Sequence, residues 1–391
     1  MRARANQDRE PWVLVAGSFH RRGGMDKLNA ALASYLLDDG HVVHLVAHEV
    51  EPLLQTHPRA VVWSVPRPAS SYLLGEFLLA KRGREIAGEV RKRWNKARVV
   101  VNGGNCAFGD VNWVHTVHHQ WPCRDAEAPL SFRIRNRLAK MWAKRQERRC
   151  INLARIVVAN SERTRQHLLQ QFSGLDPNRV CTVPLGADQE FVPVTPGERQ
   201  QAREAFGLAR DERLVVFVGA LGHDTNKGLD TVLDAWERLV AVPGWNTKLA
   251  IAGSGSGVNR YRARIAQKGL QGGVSFLGQT DQVPQLLAGA DLLVSPVRYE
   301  AYGMNAHEAI CRGVPVMISA NAGFAERMGA AMAPMLLQDP TDARELQTKL
   351  VCWRQTPDVW CSHAKQLADE LRNHSSRRMA EQIVRLVQGS S

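Results

Sequence analysis

The sequence predicts an α/β protein with two doubly wound, Rossmann-like domains. Domains usually hold roughly 100 to 200 residues, so a chain of 391 residues suggests two or three. Short apolar segments alternate with amphipathic helical segments, which is typical of a parallel sheet covered on both faces. This pattern stops at a segment with prolines at positions 184, 193 and 196 and then begins again, so we interpret that segment as the hinge.

The first half of the chain contains one series of buried strands and helices. Residues 154–172 continue it with a strand and a helix for which Ser161 is a candidate N-cap. Two long basic helices are expected at 76–95 and 131–154. The predicted strands are 12–17, 41–48, 60–65, 97–104 and 111–117.

The second half repeats the pattern. We place the N-terminal domain at 1–190 and the C-terminal domain at 191–373, and we expect an amphipathic helix within 374–391 that packs back on the first domain. The predicted strands of the second series are 213–222, 247–257, 274–279, 290–297 and 314–320.

Composition narrows the classes of protein. No apolar stretch approaches the ~20 residues of a membrane span, so we expect a cytoplasmic protein. Seven scattered cysteines without a CxxC pair argue against disulfides and structural zinc.

The net charge is +13, and residues 81–165 hold 20 basic and 7 acidic residues. Such a segment attracts an anionic membrane, a nucleic acid or an acidic substrate, and its sign alone does not choose among them.

The most informative segment is RYEAYGMNAHEAICRGVPV, residues 298–316. Glu300 and Glu308 have seven residues between them, and Gly303 stands where a helix is expected to begin. Both carboxylates can therefore face a ligand at the carboxyl ends of the strands. The backbone N–H groups near Gly303 and Met304 suit a phosphate, because a helix N-terminus offers unpaired donors and partial positive charge.

At these residues the sequence resembles glycosyltransferase family 4, the retaining group 1 transferases of GT-B fold. VFVGALGHDTNKGLDTVLDAW resembles the strand, loop and Lys-Gly segment of that family, and further segments occur in its usual order. The resemblance implies two Rossmann-like domains facing a central cleft. It also implies that Glu308 binds the ribose, that Glu300 contacts the transferred sugar, and that Lys227 and the backbone at Gly219 hold the donor diphosphate.

One position departs from the family pattern. Members commonly have Arg directly after the glycine of the first C-domain strand, whereas this chain has Ala220 after Gly219. Arg298 is our candidate for the missing phosphate cation, although an arginine in such a loop is more often simply solvated.

The N-terminal half contributes WVHTVHHQWP, residues 113–122. His118 matches the family histidine that approaches the donor sugar from the opposite domain. We interpret His115 as a core histidine and His119 as a surface histidine. A zinc site from these three histidines and Cys123 is disfavoured, because the spacing lacks the i, i+4 helical arrangement.

Glycine-rich loops complete the expected site. Gly23 and Gly24 match the loop that the family places near the donor phosphates and acceptor, although an ordinary turn would explain the glycines alone. GSGSG at 253–257 lacks the last glycine of GxGxxG, so we exclude NAD binding. The sequence contains no Asp-x-Asp, so we expect no metal or other cofactor at the donor site.

We therefore expect a retaining transferase that moves a hexose-type sugar from a UDP- or GDP-sugar to a hydroxyl of a glycan, lipid or small-molecule acceptor. The identities of the sugar and the acceptor stay open. The alternatives are another GT-B protein, such as a nucleotide-sugar epimerase or a non-catalytic scaffold, and a basic nucleic-acid-binding protein, which we do not favour. The basic segment 131–149 would form either a membrane-surface helix at the inner membrane face or an ordinary solvated helix.

Overall fold

The structure is a computed structural model, and it describes residues 9–21, 23–68, 71–122, 125, 128–188, 190–209 and 211–389. The chain divides into two compact units. Unit 1 comprises Met1–Gln120, Ile134–Gly186 and Ser376–Ser391, and unit 2 comprises Trp121–Arg133 and Ala187–Ser375. The change of unit after Gly186 lies four residues before the boundary placed from the sequence, and the short segment Trp121–Arg133 was assigned to the other domain there.

Unit 1 is built on a seven-stranded parallel sheet with the order β5-β3-β1-β6-β7-β8-β9, beside a small β2-β4 pair. Trp12 at the start of the central strand pairs with Val43 on one side and Arg98 on the other. The strands are β1 (Trp12–Val15), β2 (Ser18–Phe19), β3 (Val43–Ala47), β4 (Glu49–Val50), β5 (Ala60–Ser64), β6 (Arg98–Asn102), β7 (Val111–Val114), β8 (Ile156–Ala159) and β9 (Val180–Thr182).

Helices cover this sheet, as the alternation of strands and helices predicts. Ser161 caps α5, since its Oγ accepts a hydrogen bond from the backbone N–H of Thr164 at 3.0 Å. The helices in this part of the chain are α1 (Gly24–Asp38), α2 (Pro52–Gln55), α3 (Tyr72–Arg93), α4 (Leu130–Leu153) and α5 (Glu162–Gln171).

The core of unit 1 lies between the central strands and α3. Val13 and Val15 of β1 are buried with Val99 and Val101 of β6. Gly83 of α3 allows close packing here, because an added Cβ would lie 2.8 Å from Cγ1 of Val15. The continuous apolar runs in the sequence thus correspond to central strands of a parallel sheet that is buried on both faces.

Unit 2 has a six-stranded parallel sheet with the order β12-β11-β10-β13-β14-β15. The order runs outward from β10 in one direction and, starting at β13, in the other, which is the doubly wound Rossmann arrangement. The strands are β10 (Arg213–Val218), β11 (Thr247–Ala252), β12 (Val274–Gly278), β13 (Leu292–Ser295), β14 (Val316–Ser319) and β15 (Leu336–Leu337).

Pro196 belongs to a helix and not to the hinge in which the sequence analysis placed it. It is the first residue of α6, where its missing N–H costs nothing. Thr195 and Glu198 form a capping box at this helix. The helices of unit 2 are α6 (Pro196–Ala205), α7 (Leu229–Leu239), α8 (Val258–Gln267), α9 (Val283–Gly289), α10 (Met304–Cys311), α11 (Gly329–Met332), α12 (Ala343–Gln355) and α13 (Pro357–Arg372).

The last helix, α14 (Ser376–Gly389), returns to unit 1. Its apolar stripe is buried, and Ile383 and Val387 are fully covered. Arg377 pairs with Asp38 of α1 at 3.1 Å and lies over the ring of Tyr35. Among the described residues, no helix combines the length and apolar character needed to cross a bilayer.

Candidate functional site

The sheet of unit 2 changes winding direction between β10 and β13, where Val215 pairs with Leu292. The loops that follow these two strands leave the sheet on either side of this point. Ligands of open α/β sheets bind at the carboxyl ends of the strands, at such a switch point. The residues predicted for the donor, from Gly219 to Glu308, lie on these two loops and on α10.

Lys227 lies at the end of the loop that follows β10. An added Cβ at Gly219 would meet Cγ of Lys227 at 3.4 Å, so this glycine packs against the lysine stem. Gly228 has φ of 76°, and an added Cβ would lie only 2.0 Å from the carbonyl oxygen of Pro296. The two loops therefore touch through a glycine, and the ammonium of Lys227 forms an ion pair with Glu300.

Asn226, which the sequence analysis missed, ties these loops together. Its side-chain Nδ2 donates to the carbonyl of Tyr299 at 2.9 Å, and its Oδ1 accepts from the N–H of Tyr299 at 3.1 Å. The backbone N–H of Arg298 also donates to the carbonyl of Asn226 at 2.8 Å. We call these contacts the Asn226 clip; they set Lys227 beside Glu300.

Arg298 lies beside the Asn226 clip, and its guanidinium is already paired with a carboxylate. Its guanidinium binds both carboxylate oxygens of Asp230, at 2.9 and 2.5 Å, and also donates to the carbonyl of Thr225. Its side chain is only 6% exposed. Because Asp230 balances its charge within the fold, this geometry favours a structural role and does not present Arg298 as a free phosphate cation.

Helix α10 begins where the sequence predicts, at Met304, with Gly303 as its N-cap at φ 114°. Asn305 fixes the first turn, because its Nδ2 donates to the carbonyl of Val218 at 2.9 Å, at the end of β10. Helix geometry leaves the first N–H groups without an intrahelical acceptor, so the backbone at Met304 offers donors at the switch point. Glu308 follows in the second turn and is buried.

The glycines of GSGSG have a packing function. Added Cβ atoms at Gly253, Gly255 and Gly257 would lie 1.9, 2.5 and 2.9 Å from carbonyl oxygens of residues 219, 221 and 222, respectively. The loop after β11 thus lies directly against the loop after β10, backbone to backbone. This close backbone contact accounts for the three glycines.

Trp121 supports the loop of Lys227 from a distant part of the sequence. Its indole Nε1 donates to Oδ2 of Asp224 at 3.1 Å, and its ring meets that of Tyr299 edge to face with centroids 5.9 Å apart. These three residues all belong to unit 2.

In unit 1, Gly23 and Gly24 lie at the start of α1, beyond the central strand β1. Gly23 is the N-cap with φ of 76°, a left-handed conformation that favours glycine. Among the described residues that are not its chain neighbours, an added Cβ there would approach Asp26 alone, at 3.8 Å. The glycine is therefore needed for its backbone angle and not for close packing.

His118 lies beyond β7 and is held by Glu147, a residue of α4 that the sequence analysis did not single out. Oε1 of Glu147 accepts from the backbone N–H of His118 at 2.8 Å and lies 3.2 Å from the ring Nδ1. Oε2 lies 2.7 Å from Nδ1 of His119. Burial alone would raise the pKa of Glu147, but the hydrogen bonds and charge of His118, with the bond from His119, bring this pKa below its usual value.

The other two histidines of this segment, His115 and His119, have different environments. His115 is buried against Trp113, with ring centroids 4.3 Å apart, and burial lowers its pKa to about 3, so it is a neutral core residue as expected. Our interpretation of His119 as a surface residue is wrong, because its side chain is 15% exposed and bonded to Glu147. Cys123, the fourth member of the disfavoured zinc site, lies outside the described residues.

A second carboxylate, Glu76 of α3, lies within electrostatic range of His118. Burial raises the pKa of Glu76 to about 7, against the opposing positive charges of Arg67 and His118. Unit 1 thus has an ionised carboxylate bonded to His118 and a second carboxylate that titrates near neutral pH.

Comparison with known proteins assigns the family. Residues 22–191 match the profile of Glycosyltransferase Family 4, and residues 198–353 match that of Glycosyl transferases group 1. The two matches meet near the boundary between the units and include every predicted donor residue. The chain belongs to the group 1 glycosyltransferases. Its fold is the GT-B class with two Rossmann-like domains, as the sequence predicts.

Relatives of the chain include the lipopolysaccharide glucosyltransferase WaaG of Escherichia coli. The two are 27% identical over 214 residues, which is 54% of this chain and 56% of that protein. The chain spans between 39% and 56% of the length of the first two curated relatives that it matches.

Solved structures match the fold of this chain over almost its whole length. The crystal structure of WaaG, a glycosyltransferase involved in lipopolysaccharide biosynthesis, has a TM-score of 0.78 and 19% identity, covering 97% of this chain and 100% of that one. Anabaena HepE in complex with UDP-glucose has a TM-score of 0.71 and 18% identity, with the same coverage.

Proposed function

We propose that the chain transfers a hexose-type sugar from a nucleoside diphosphate donor to an acceptor hydroxyl, with retention of configuration. The main support for this proposal is that Lys227, Glu300 and the start of α10 lie together at the switch point of unit 2. Membership of the group 1 family supports a transferase, and the UDP-glucose bound to HepE supports a nucleotide-sugar donor.

The ion pair of Lys227 and Glu300 suits this chemistry. Without a donor, each neutralises the other. A diphosphate carries more negative charge than one carboxylate, so it would draw the ammonium of Lys227 towards itself and leave Glu300 to accept hydrogen bonds from hydroxyls of the sugar. Negative charge grows on the leaving phosphate in the transition state, and a preorganised cation with helix N–H donors stabilises it there.

Retention would follow from attack on the same face of the sugar that the diphosphate leaves. In this mechanism the leaving phosphate accepts the proton of the acceptor hydroxyl, so neither a metal nor a separate carboxylate base takes part. His118 would orient a hydroxyl. The anomeric coupling constant of the product, measured by proton NMR, distinguishes retention from inversion.

Nucleotide titration tests the donor site. We expect Lys227→Ala and Glu308→Ala each to weaken UDP or GDP binding about 100-fold by calorimetry, equal to about 3 kcal/mol. Binding in wild type should survive chelator. Lys248→Ala is the matched control, since this lysine pairs with Glu212 near the opposite end of β10. Unchanged affinity in both site variants would remove the donor assignment.

Turnover tests the reaction itself. With donor and an acceptor hydroxyl together, free UDP or GDP should accumulate in step with the glycosylated product. An epimerase would convert the donor without needing an acceptor. Tight donor binding with neither transfer nor hydrolysis would instead indicate a non-catalytic scaffold.

We also propose that α4 binds the surface of an anionic membrane. Leu130, Ile134, Leu138 and Met141 recur at helical spacing, and each side chain is at least 53% exposed. The helix carries eight basic residues and one acidic residue. Apolar side chains flanked by cations are typical of helices that lie in the headgroup region.

Vesicle cosedimentation tests the membrane proposal. The wild type should bind vesicles of phosphatidylglycerol and release them as salt increases, and it should bind phosphatidylcholine weakly. The triple change Ile134→Gln, Leu138→Gln and Met141→Gln should reduce binding at least about tenfold. Leu53→Gln with Val359→Gln, two exposed apolar positions elsewhere, is the control. Equal binding of the triple variant would contradict the proposal.

A further inference from the structure

We infer that Glu147 is a positioning residue that fixes His118 in the tautomer with the proton on Nδ1, so that Nε2 accepts a hydrogen bond from a substrate hydroxyl. This inference rests on the proposed role of His118 in glycosyl transfer. It names the atom of His118 that meets the substrate and the residue that selects this atom.

Glu147 holds His118 through two hydrogen bonds to one of its carboxylate oxygens. Its Oε1 serves two donors of one residue, the backbone N–H of His118 at 2.8 Å and the ring Nδ1 at 3.2 Å. The two contacts together fix both the loop after β7 and the rotation of the imidazole. A ring held only through its side chain would keep the freedom of its backbone.

The charge of Glu147 determines which ring nitrogen of His118 carries the proton. An ionised carboxylate accepts hydrogen bonds and donates none, so any ring nitrogen bonded to it must carry a hydrogen. Glu147 is ionised at neutral pH, since its pKa lies below the usual value for Glu. Both His118 and His119 therefore carry a proton on Nδ1. In the neutral ring this leaves Nε2 with a lone pair.

Helix α4 is also held close to the segment that carries His118. Gly104, which follows β6, lies against the backbone of α4, where an added Cβ would be 3.1 Å from the nitrogen of Glu147. The side chain of Glu147 is fully buried, whereas that of His118 is 30% exposed. The carboxylate is thus fixed behind the ring, and the ring itself is accessible to a ligand.

This arrangement gives His118 a definite chemical task. With Nε2 as acceptor, the imidazole can orient the O–H of a substrate but cannot donate a hydrogen bond to a sugar oxygen while neutral. His118 does not need to take the hydroxyl proton at Nε2, because in the proposed reaction the leaving phosphate accepts that proton. Carboxylates that hold a functional histidine in one tautomer act in the same way in other enzymes.

The tautomer can be measured without turnover. Nitrogen NMR of the histidine rings separates protonated from unprotonated nitrogens, and His118→Gln and His119→Gln would assign the two sets of signals. We expect Nδ1–H and a free Nε2 for both rings in the neutral wild-type protein. A His118 ring with its proton on Nε2 would overturn the inference, even if the enzyme proved fully active.

Two substitutions of Glu147 separate positioning from burial. An amide has a single acceptor oxygen, and the N–H of His118 requires it on the side of Oε1. Glu147→Gln should therefore keep the His118 tautomer and turn its NH₂ group towards His119, whose Nδ1 must then accept. Glu147→Met has a similar size but removes both acceptors, so His118 should become a mixture of tautomers.

Kinetics then link the tautomer to the reaction. We expect Glu147→Met to lower kcat about 10- to 100-fold at unchanged UDP affinity, and Glu147→Gln to lower it distinctly less. Asn152→Met, an exposed position near the end of the same helix, is the control. Equal losses of kcat in the Gln and Met variants, with His118 unchanged in the Gln variant, would contradict the inference. Absence of transfer in wild type would contradict the proposed function, whereas the NMR result would still test the tautomer.

Discussion

Gly253 lets two loops of the donor site meet. It has φ of 146°, and an added Cβ would lie 1.9 Å from the carbonyl oxygen of Gly219. Neither loop could keep its position if this atom were present, and Gly219 in turn packs on the stem of Lys227. The absence of a Cβ at Gly253 thus helps to determine, through Gly219, where the side chain of Lys227 lies.

Gly253→Ala should therefore reduce both stability and donor binding. We expect a loss of about 2 kcal/mol or more in the free energy of unfolding, from the positive φ together with the clash. UDP affinity, measured by calorimetry, should fall with it. Gly272→Ala is the control, because nothing lies within 4 Å of its added Cβ and its φ is not in the left-handed region. A Gly253→Ala protein as stable as this control would contradict the packing argument.

Glu76 is expected to make stability depend on pH. Its pKa is about 7 in the folded protein against 4.5 for an ordinary glutamate, so between these values the folded state binds the proton more tightly. Stability from this group is therefore present below about pH 4.5 and is lost as pH rises through 7. One pKa unit corresponds to about 1.4 kcal/mol, so the shift gives a loss of between about 3 and 4 kcal/mol.

Glu76→Gln tests that dependence. The amide cannot ionise, so the variant should be more stable than wild type at pH 8, and the gain should shrink as pH falls to 5. Urea denaturation at several pH values measures the difference. Glu89→Gln, an exposed position on the same helix, should show no such trend. A pH-independent difference between Glu76→Gln and wild type would contradict the raised pKa.

The sequence identifies residues that follow a pattern and misses those that act through contacts. Glu300, Gly303 and Glu308 have a recognisable spacing next to a strand, and Lys227 precedes a glycine at a helix start. Glu147 and Asn226 lack such a spacing. Their partners lie 29 and 73 residues away in the sequence, and only the folded chain brings them together. The same limit explains Arg298, whose partner Asp230 lies 68 residues away.

At the level of elements, the loops after β10 and β13 are linked to each other by the Asn226 clip. The Asn226 clip joins them by hydrogen bonds in both directions, and Asn226 is 1% exposed. Each such bond contributes about 1 kcal/mol to stability. The clip is therefore strong enough to keep Lys227 beside Glu300 before any ligand arrives.

Asn226→Ala removes both side-chain bonds of the clip. We expect a loss of about 2 kcal/mol in the free energy of unfolding and a UDP affinity reduced about tenfold, which equals about 1.4 kcal/mol. Asn246→Ala is the control, because its side-chain amide donates to Asp211 at the surface and not to either loop of the clip. Unchanged UDP affinity at reduced stability would mean that the loops hold Lys227 without the clip.

The elements themselves were largely predictable. The long buried strands, such as β10 and β11, have continuous apolar runs and appear where the sequence predicts. The two-residue strands β2 and β4 were missed, since so short a segment has no periodicity to detect. Helix α6 was missed because its prolines were interpreted as a hinge, although the capping box at Thr195 and Glu198 was visible in the sequence.

Across the whole molecule, the order of the segments along the chain differs from their grouping into the two units. After the short segment Trp121–Arg133, the chain enters unit 2 a second time at Ala187 and leaves it at Ser375, and these two residues form a parallel bridge. Helix α14 then completes unit 1, although it follows all of unit 2 in the sequence. The stability of unit 1 therefore depends on α14.

Ile383→Ala tests this dependence. Ile383 is fully buried on the inner face of α14, so its truncation should lower the stability of unit 1 by about 3 kcal/mol. Calorimetry with and without UDP assigns the transitions, because a ligand bound to unit 2 raises the transition of that unit. We expect Ile383→Ala to lower the other transition and to leave UDP affinity unchanged. Gln382→Ala, its exposed neighbour, should change neither. A variant that instead lowered only the UDP-sensitive transition would place the energetic contribution of α14 in unit 2, against the grouping of contacts in the fold.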